Sequence, residues 1–285
     1  MQPKNFAKSN IGFMQGRLSK IRNNRIQSFP WGVWKNEFSR AVDLELFNME
    51  WTIDSDRFQE NPLITEQGKN EITNLIGKFN IQIPSVTCDY FMENPPWKTN
   101  LIEVKENIIS IFKGMNKIKS QILVIPLVDN SSLLDSNCMK IVKLFFTELI
   151  PEIRKNNLRI AFESDLTPIQ LANFIGEFDI NYFGVNYDIG NSASLGFNPA
   201  EEFKAYGARI INVHVKDRKL NGTTVPLSEG DADFPKIFRL LHEENYQGNL
   251  ILQTARSEEG RDAEVLVEYK KLVENWWAGA KIDRF

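Results

Sequence analysis

The chain has 285 residues, of which 42% are hydrophobic, and its net charge is −3. This length and composition suit one domain with a large core, and we expect residues 1–285 to form it. The weak negative charge excludes a general attraction to nucleic acid or anionic membranes, and no apolar run approaches the roughly 20 residues that span a bilayer. Cys88 and Cys138 lack a CxxC spacing. We therefore expect reduced thiols in a cytoplasmic setting.

Basic residues dominate the start of the chain. Those that precede the first acidic residue, Glu37, are Lys4, Lys8, Arg17, Lys20, Arg22, Arg25 and Lys35. The favoured interpretation is a solvated basic loop, and the alternative is a rim that attracts a phosphate or carboxylate. A basic transit peptide fits less well, because the segment Ile11-Gly12-Phe13-Met14 already has the apolar character of a core strand.

Short apolar runs alternate with helical segments along the chain. Runs such as Ile122-Leu123-Val124-Ile125 are almost wholly apolar, which is typical of strands that a parallel sheet buries on both faces. The sequence predicts eight strands, at Ile11–Gln15, Phe47–Trp51, Ile81–Val86, Gln121–Pro126, Arg159–Glu163, Phe183–Asp188, Ile210–Val215 and Leu250–Thr254.

Apolar residues at helical spacing fill the gaps between these strands. The predicted helices are Glu66–Phe79, Leu101–Ile118, Met139–Arg154, Asp165–Phe178, Asp233–Glu244 and Arg261–Trp277. Pro151 lies in the last turns of the third helix, where we expect a break or a kink. Eight alternating strand and helix units in a chain of this length predict a single (β/α)8 TIM barrel.

Side chains that can bind a metal follow four successive apolar runs, in strands five to eight. They are Glu163, Asp188, His214 and Gln253. Active sites of (β/α)8 barrels form at the carboxyl ends of the strands. Two carboxylates, an imidazole and an amide oxygen suit one divalent ion such as Mn²⁺, Mg²⁺, Co²⁺ or Zn²⁺. Taken singly, each carboxylate also fits a helix cap and the histidine also fits a core position. Their joint occurrence on consecutive strands favours the metal site.

A set of short segments spread over nearly the whole chain carries a family resemblance. The segments are Met14-Gln15-Gly16-Arg17-Leu18, Phe162-Glu163, Tyr187-Asp188-Ile189-Gly190-Asn191, His214-Val215-Lys216-Asp217, Ser228–Phe234 and the last strand up to Gln253. Together they resemble the xylose-isomerase-like barrel superfamily, the sugar (phosphate) isomerase and epimerase group. In that family a Glu, Asp, His and Glu on strands five to eight hold the metal. Gln253 departs from this pattern, because it stands where the family has the second glutamate.

The resemblance implies a metal-dependent isomerase or epimerase that removes a proton beside a carbonyl and passes through an enediolate intermediate. Glu163 would be the first base. Gln253 cannot exchange a proton as a carboxylate does, so three outcomes stay open. Glu50 or Asp217 supplies the second base. The reaction needs only one base, as in a dehydration or a same-face isomerisation. Alternatively, the barrel binds a sugar without turning it over.

Other residues near the predicted strand ends are candidates to contact a small-molecule sugar or sugar phosphate. A guanidinium at Arg17 or Arg256 suits a phosphate or carboxylate. Trp51 has the shape to stack on a sugar ring, although a large aromatic there is more often part of the core. Asn191 belongs to one of the family-like segments. Lys216 projects beyond the strand-seven histidine and either orients substrate or forms a structural ion pair.

Three further classes of protein are alternatives to the isomerase. A DNA endonuclease of the same superfamily would need three zinc ions and several histidines, but the chain has only His214 and His242. Its acidic charge also opposes DNA binding. A dehydratase of an inosose or a shikimate-type acid fits the same metal and one base, and a catalytically silent sugar-binding barrel fits the glutamine at 253. The resemblance allows a homo-oligomer, whereas nucleic-acid and membrane partners are not expected.

Overall fold

The computed structural model describes residues 10–21, 26–257 and 260–280. Of the basic residues near the start of the chain, Lys4, Lys8, Arg22 and Arg25 lie outside the described residues. The barrel strands are β1 (Ile11–Met14), β2 (Asn48–Ile53), β3 (Ser85–Cys88), β4 (Ile122–Leu127), β5 (Arg159–Ser164), β6 (Phe183–Asp188), β7 (Ile210–Val215) and β8 (Asn249–Leu252). Every neighbouring pair is parallel, and β1 pairs with both β2 and β8, which closes the barrel. The predicted (β/α)8 fold is confirmed.

Helices connect the successive strands. They are α1 (Asn36–Asp43), α2 (Glu66–Phe79), α3 (Asp89–Glu93), α4 (Leu101–Ile118), α5 (Ser136–Glu148), α6 (Ile150–Lys155), α7 (Pro168–Gly176), α8 (Ile189–Leu195), α9 (Pro199–Tyr206), α10 (Phe234–Glu243) and α11 (Asp262–Gly279). The break expected near Pro151 is confirmed, because α5 ends and α6 begins around Leu149. Among the helices described, none is both long and apolar enough to cross a membrane.

The third strand lies further along the chain than the sequence predicts. The predicted strand Ile81–Val86 begins too early, since only one isolated bridge joins Gln82 to Asn48. Pro84 then interrupts the segment, because proline has no backbone N–H to donate to a neighbouring strand. Regular pairing with β2 and β4 runs over Ser85–Cys88. The end of this strand, and the residue that follows it, therefore reach the mouth of the barrel.

Alternate residues of each strand face opposite sides of the barrel wall. The outward-facing side chains join one large apolar core, which includes the aromatic rings of Phe146, Phe162 and Phe183. A separate small cluster gathers Val124 and Ala161 with other apolar strand residues. On several other strands the alternating positions are buried and polar, and these polar positions build the site described below.

Phe146 tests the aromatic part of the core. Its ring lies 5.2 Å from that of Phe162 and 5.6 Å from that of Phe91. Phe146→Ala should lower the free energy of unfolding by about 3–5 kcal/mol, because it leaves a cavity. Leu144→Ala on the same helix is the control, since Leu144 is 53% exposed and its loss should cost no more than about 0.5 kcal/mol. Guanidinium chloride unfolding measures both, and equal effects would contradict this packing.

Candidate metal centre and active site

Three of the predicted metal ligands meet at the mouth of the barrel. Glu163 lies near the end of β5, Asp188 ends β6 and His214 lies near the end of β7. All three are buried, and one ligand atom from each lies within 4.8 Å of the others. The Nδ1 atom of His214 is 3.2 Å from Oε2 of Glu163 and 3.9 Å from Oδ2 of Asp188. Parallel strands bring these residues together because their carboxyl ends share one edge of the barrel.

Glu50 fixes the orientation of the histidine ring. Its Oε1 atom lies 2.7 Å from Nε2 of His214, and both side chains are fully buried. The carboxylate also accepts hydrogen bonds from Ser85, Thr87 and Asn212. A carboxylate that binds one imidazole nitrogen sets the tautomer and directs the other nitrogen, here Nδ1, toward Glu163, with Asn186 also 3.1 Å from it. Glu50 therefore supports His214 through Nε2, on the side of the ring opposite Nδ1, and it does not line the cavity.

The buried carboxylates of Glu50 and Glu163 stabilise positive charge at His214. Burial lowers the pKa of His214, but Glu50 and Glu163 more than offset this effect and raise the pKa to about 10. Burial also raises the pKa of Glu50, and His214 together with the hydroxyl donors more than offsets this, so the net shift is downward. The field that favours a proton on the imidazole also favours a metal cation beside it.

Two asparagines hold the carboxylate of Glu163. Asn186 donates to Oε2 at 2.7 Å, and Asn191 donates to Oε1 at 2.8 Å. The backbone N–H of Asn191 also donates to Oδ1 of Asp188 at 2.8 Å, as in a helix N-cap, while Oδ2 faces His214. The helix-cap and metal-ligand interpretations of Asp188 are thus compatible, since each uses a different oxygen.

Gln253 lies just beyond β8, and its amide is engaged by neighbours. Nε2 donates to Gln27 at 2.8 Å, and Oε1 accepts from Nζ of Lys216 at 3.4 Å. Lys216 also donates to Oδ2 of Asp188 at 3.0 Å and to Oδ1 of Asn191 at 3.1 Å. A lysine ammonium thus bridges one predicted ligand and the neutral side chain that replaces the fourth.

The donor set fits a divalent ion with a preference for oxygen and nitrogen ligands. Glu163 and Asp188 supply carboxylate oxygens, and His214 supplies an imidazole nitrogen that Glu50 keeps in position. Gln253 adds only a neutral amide oxygen, which Lys216 contacts. The three buried side chains are therefore the core of the candidate centre, and the glutamine is at most a weak fourth ligand.

A cavity of about 450 Å³ reaches this cluster at Glu163. Its lining includes Arg17, Gln27, Asp89, Glu163, Lys216 and Arg218. Backbone carbonyls hold the guanidinium of Arg17, through Nε to Thr254 and Nη1 to Ile26. Arg218 donates to Oδ1 of Asn191 at 2.9 Å. The predicted substrate contacts Arg17, Asn191 and Lys216 all line this cavity.

The basic residues near the start of the chain divide between the two interpretations given above. Arg17 lies at the cavity, as the anion-binding rim requires. Lys20 and Lys35 are exposed, and Lys35 pairs with Glu71 at 2.7 Å, as expected for a solvated surface.

Asp217 does not face the cavity, in contrast to the expectation that it supplies a second base. It is buried, and its carboxylate accepts backbone hydrogen bonds from Ser228, Gly230 and Ala232 at 2.9, 2.9 and 3.2 Å. A Cβ on Gly230 would lie 1.9 Å from Oδ1 of Asp217, so only glycine allows this close approach. These hydrogen bonds to Asp217 stabilise the conformation of the acidic loop after β7.

Trp51 and Arg256 also have structural contacts in place of the expected substrate contacts. Trp51 follows Glu50 in β2 and so points to the opposite side of the wall, where it packs against Phe29 and is fully buried. Arg256 donates to the backbone oxygens of Gly16 and Ser19 at 2.6 and 3.1 Å. This arginine ties the loop after β1 to the end of the barrel.

Sequence reasoning missed Gln27, Asp89 and Arg218 as cavity residues. Asp89 directly follows β3, but the predicted strand ended three residues earlier at Val86, so Asp89 did not count as a strand-end residue. Alternate residues of a strand face the same side, so a strand that continues to Cys88 places Asp89 on the same side as Ser85 and Thr87. Gln27 lies in a loop with no periodic signal, and only the folded chain brings it to the cavity.

A parallel barrel with a buried Glu, Asp and His that could hold a metal ion at the carboxyl ends of its strands defines a class of barrel with a candidate metal site at its mouth. Comparison with known proteins makes this assignment more specific. The chain belongs to the xylose isomerase-like TIM barrel family, whose model matches residues 39–272. The family resemblance inferred from the sequence is confirmed.

Individual relatives are distant. An inosose dehydratase of Clostridium botulinum is 24% identical over 211 residues, which cover 61% of this chain and 69% of the relative. A putative L-ribulose-5-phosphate 3-epimerase of Escherichia coli is 34% identical over 79 residues, which cover 25% of this chain and 28% of the relative. Among the curated relatives the matched stretches span 28–69% of their own length.

Solved structures agree on the fold. The crystal structure of IOLI protein with a zinc atom bound has a TM-score of 0.74 and 13% identity, and the match covers 94% of this chain and 98% of that protein. At this identity the similarity concerns the architecture alone.

Glu50 provides a test of the geometry behind the ligand cluster. Glu50→Gln should lower the affinity for Zn²⁺ or Mn²⁺ roughly 10- to 100-fold, because the imidazole loses its charged partner. Competition with a chromogenic chelator measures this affinity. Glu202→Gln is the matched control, because Glu202 is also buried but bonds to Tyr187, Ser192 and Tyr206. Equal affinities in the two variants would show that Glu50 does not support the ligand.

Proposed function

We propose that the protein is a divalent-metal-dependent isomerase or epimerase of a sugar or sugar phosphate that acts through an enediolate intermediate. The observation that carries this proposal is the buried cluster of Glu163, Asp188 and His214, which meets an open cavity at Glu163. Family membership and the epimerase and dehydratase relatives support the same class of chemistry.

Glu163, Asp188 and His214 would hold the ion. When bound, a divalent ion supplies electrostatic stabilisation of negative charge that develops on substrate oxygens. The proposed chemistry needs that stabilisation, because removal of a proton beside a carbonyl transfers charge to the oxygen.

Glu163 is the proposed base that removes the proton. Its carboxylate lines the cavity, and two side-chain amides fix its two oxygens, from Asn186 at 2.7 Å and Asn191 at 2.8 Å. Both donors are amide N–H groups, which hydrogen-bond to the carboxylate without transferring a proton to it. Because the carboxylate is already held in place, it loses less conformational entropy on reaction than a mobile side chain would.

Cationic groups on the cavity wall orient the substrate in this proposal. Lys216 and Arg218 approach from the segment after β7, and Arg17 approaches from the loop after β1. All three donate hydrogen bonds, so they suit hydroxyl, carbonyl or phosphate oxygens. Asn191 accepts from both Lys216 and Arg218 and thereby links substrate orientation to the base it holds.

A second candidate function is dehydration of an inosose. The observation that favours it is Gln253, which removes one of the two carboxylates that an inverting epimerase of this family would use. Loss of water from the carbon next to an enolised position needs one base and a proton donor for the leaving hydroxyl. The inosose dehydratase relatives support this alternative.

The decisive experiment incubates the metal-loaded protein in D₂O with L-ribulose, L-ribulose 5-phosphate and an inosose. An isomerase or epimerase should introduce deuterium beside the carbonyl and form an isomer, whereas a dehydratase should release water. Glu163→Gln should slow deuterium entry by about 10²- to 10⁴-fold, even at saturating Mn²⁺, because the base is lost.

Glu177→Gln is the control for this experiment, because Glu177 is exposed on the protein surface. It should leave the exchange rate unchanged. NMR follows the exchange, and elemental analysis reports whether each variant keeps its ion. A metal-loaded wild type that exchanges and converts none of these compounds would contradict the proposed function.

A further inference from the structure

Asp89 brings a carboxyl group into the same cavity as Glu163, from a different strand. It directly follows β3, whereas Glu163 lies in β5, and β4 separates the two strands. Both side chains line the cavity. Asp89 thus provides a second carboxyl group in a site where Gln253 stands in place of the family's second glutamate. It enters the cavity from β3, whereas Gln253 follows β8.

A chain of side-chain hydrogen bonds joins Asp89 to the opposite wall. Gln27 donates to Oδ2 of Asp89 at 2.8 Å, and Gln253 donates to Oε1 of Gln27 at 2.8 Å. Lys216 in turn donates to Gln253 at 3.4 Å. Gln253 therefore helps to position a carboxyl group through Gln27, even though it cannot exchange a proton itself.

One oxygen of Asp89 is anchored and the other is available to a ligand. Oδ2 accepts the bond from Gln27, and within residues 10–21, 26–257 and 260–280 the structure gives Oδ1 no hydrogen-bond partner. A carboxyl group held at one oxygen and open at the other can transfer a proton to a bound substrate without reorienting.

The groups around Asp89 favour its protonated form. Burial is the largest effect, and together with Asp54, Glu93 and Glu163 it raises the pKa of Asp89 to about 7, against the opposing bond from Gln27. These carboxylates come from the end of β2, from α3 and from β5, and Arg17 faces the group from the loop after β1. Asp89 is thus present in both protonation states at neutral pH, which general acid–base catalysis requires.

We propose that Asp89 is the second acid–base group, which returns a proton to the carbon that Glu163 deprotonates. This inference rests on the proposed function. Neither sequence-based candidate can take this role, because Glu50 lies behind His214 and Asp217 is bound to three backbone N–H groups.

The proton inventory of the proposed step balances. The carboxylate of Glu163 takes the proton from the carbon beside the carbonyl, and the C–H electron pair moves toward the carbonyl to form the enediolate. The carboxylic acid of Asp89 then gives its proton to the same carbon, and the carbonyl forms again. Glu163 ends protonated and Asp89 ends ionised. Exchange with solvent in the open cavity restores both groups, so no co-reactant is consumed.

Deuterium exchange separates the two groups. With L-ribulose or its 5-phosphate in D₂O, Asp89→Asn should keep deuterium entry with retention, within about threefold of wild type, and lose the inverted product by about 10²-fold or more. Glu163→Gln should lose both. Glu177→Gln, which removes an exposed carboxylate that does not line the cavity, should resemble wild type.

Two outcomes in a folded, metal-loaded Asp89→Asn protein would overturn the assignment. One is a wild-type yield of inverted product, and the other is loss of exchange together with inversion. If wild type converts neither sugar, the proposed function fails for these sugars, and a substrate-free measurement tests whether Asp89 titrates as the proposed role requires.

That measurement is a titration of the metal-free protein labelled with [¹³C]aspartate. Asp89→Asn identifies the carboxyl resonance by its absence. A pKa near 7 that falls in Asp54→Asn supports the assignment, because Asp54 is one of the carboxylates that raise it. An ordinary aspartate pKa of about 4 would overturn it.

Discussion

The contact between Glu50 and His214 is the interaction on which the site depends. Both side chains are fully buried inside the barrel, where an unpaired charge is costly. The cost is offset because Ser85, Thr87 and Asn212 also donate to the carboxylate. The same network orients the imidazole toward Glu163 and Asp188. Removing either partner would leave the other buried without its match, so the geometry of the ligand cluster and the stability of the barrel interior are coupled.

The fold could be predicted because a parallel barrel gives a strong local signal. Buried strands appear as apolar runs, and helices between them show their own spacing. The errors arose where the chain departs from that signal. Pro84 splits an apolar run, so the predicted third strand began too early, and helices α3 and α8, with 5 and 7 residues, are too short to show a repeated helical pattern. They form because tertiary contacts hold them, not because their sequences strongly favour helix.

Part of the site could also be predicted, since residue type and strand-end position identify Glu163, Asp188 and His214 as a group. Their orientation could not be predicted so simply. Glu50 and Trp51 are neighbours, but one points into the barrel and the other toward the outer core. Lys216 and Asp217 are also neighbours, but Lys216 lines the cavity whereas Asp217 binds the loop after β7. Gln27 and Asp89 are 62 residues apart in the chain, and their hydrogen bond forms only in the folded protein, so the sequence around either residue does not predict it.

The most direct test of the central claim is the metal content of the purified protein, by elemental analysis after incubation with Mn²⁺, Co²⁺ or Zn²⁺ and removal of free ion. The wild type should retain about one ion per chain. His214→Ala should lose it, and His242→Ala should keep it, because His242 lies at the end of α10 and packs beside Trp277. A wild type that binds none of these ions, or a His214→Ala variant that binds them equally well, would contradict the metal centre.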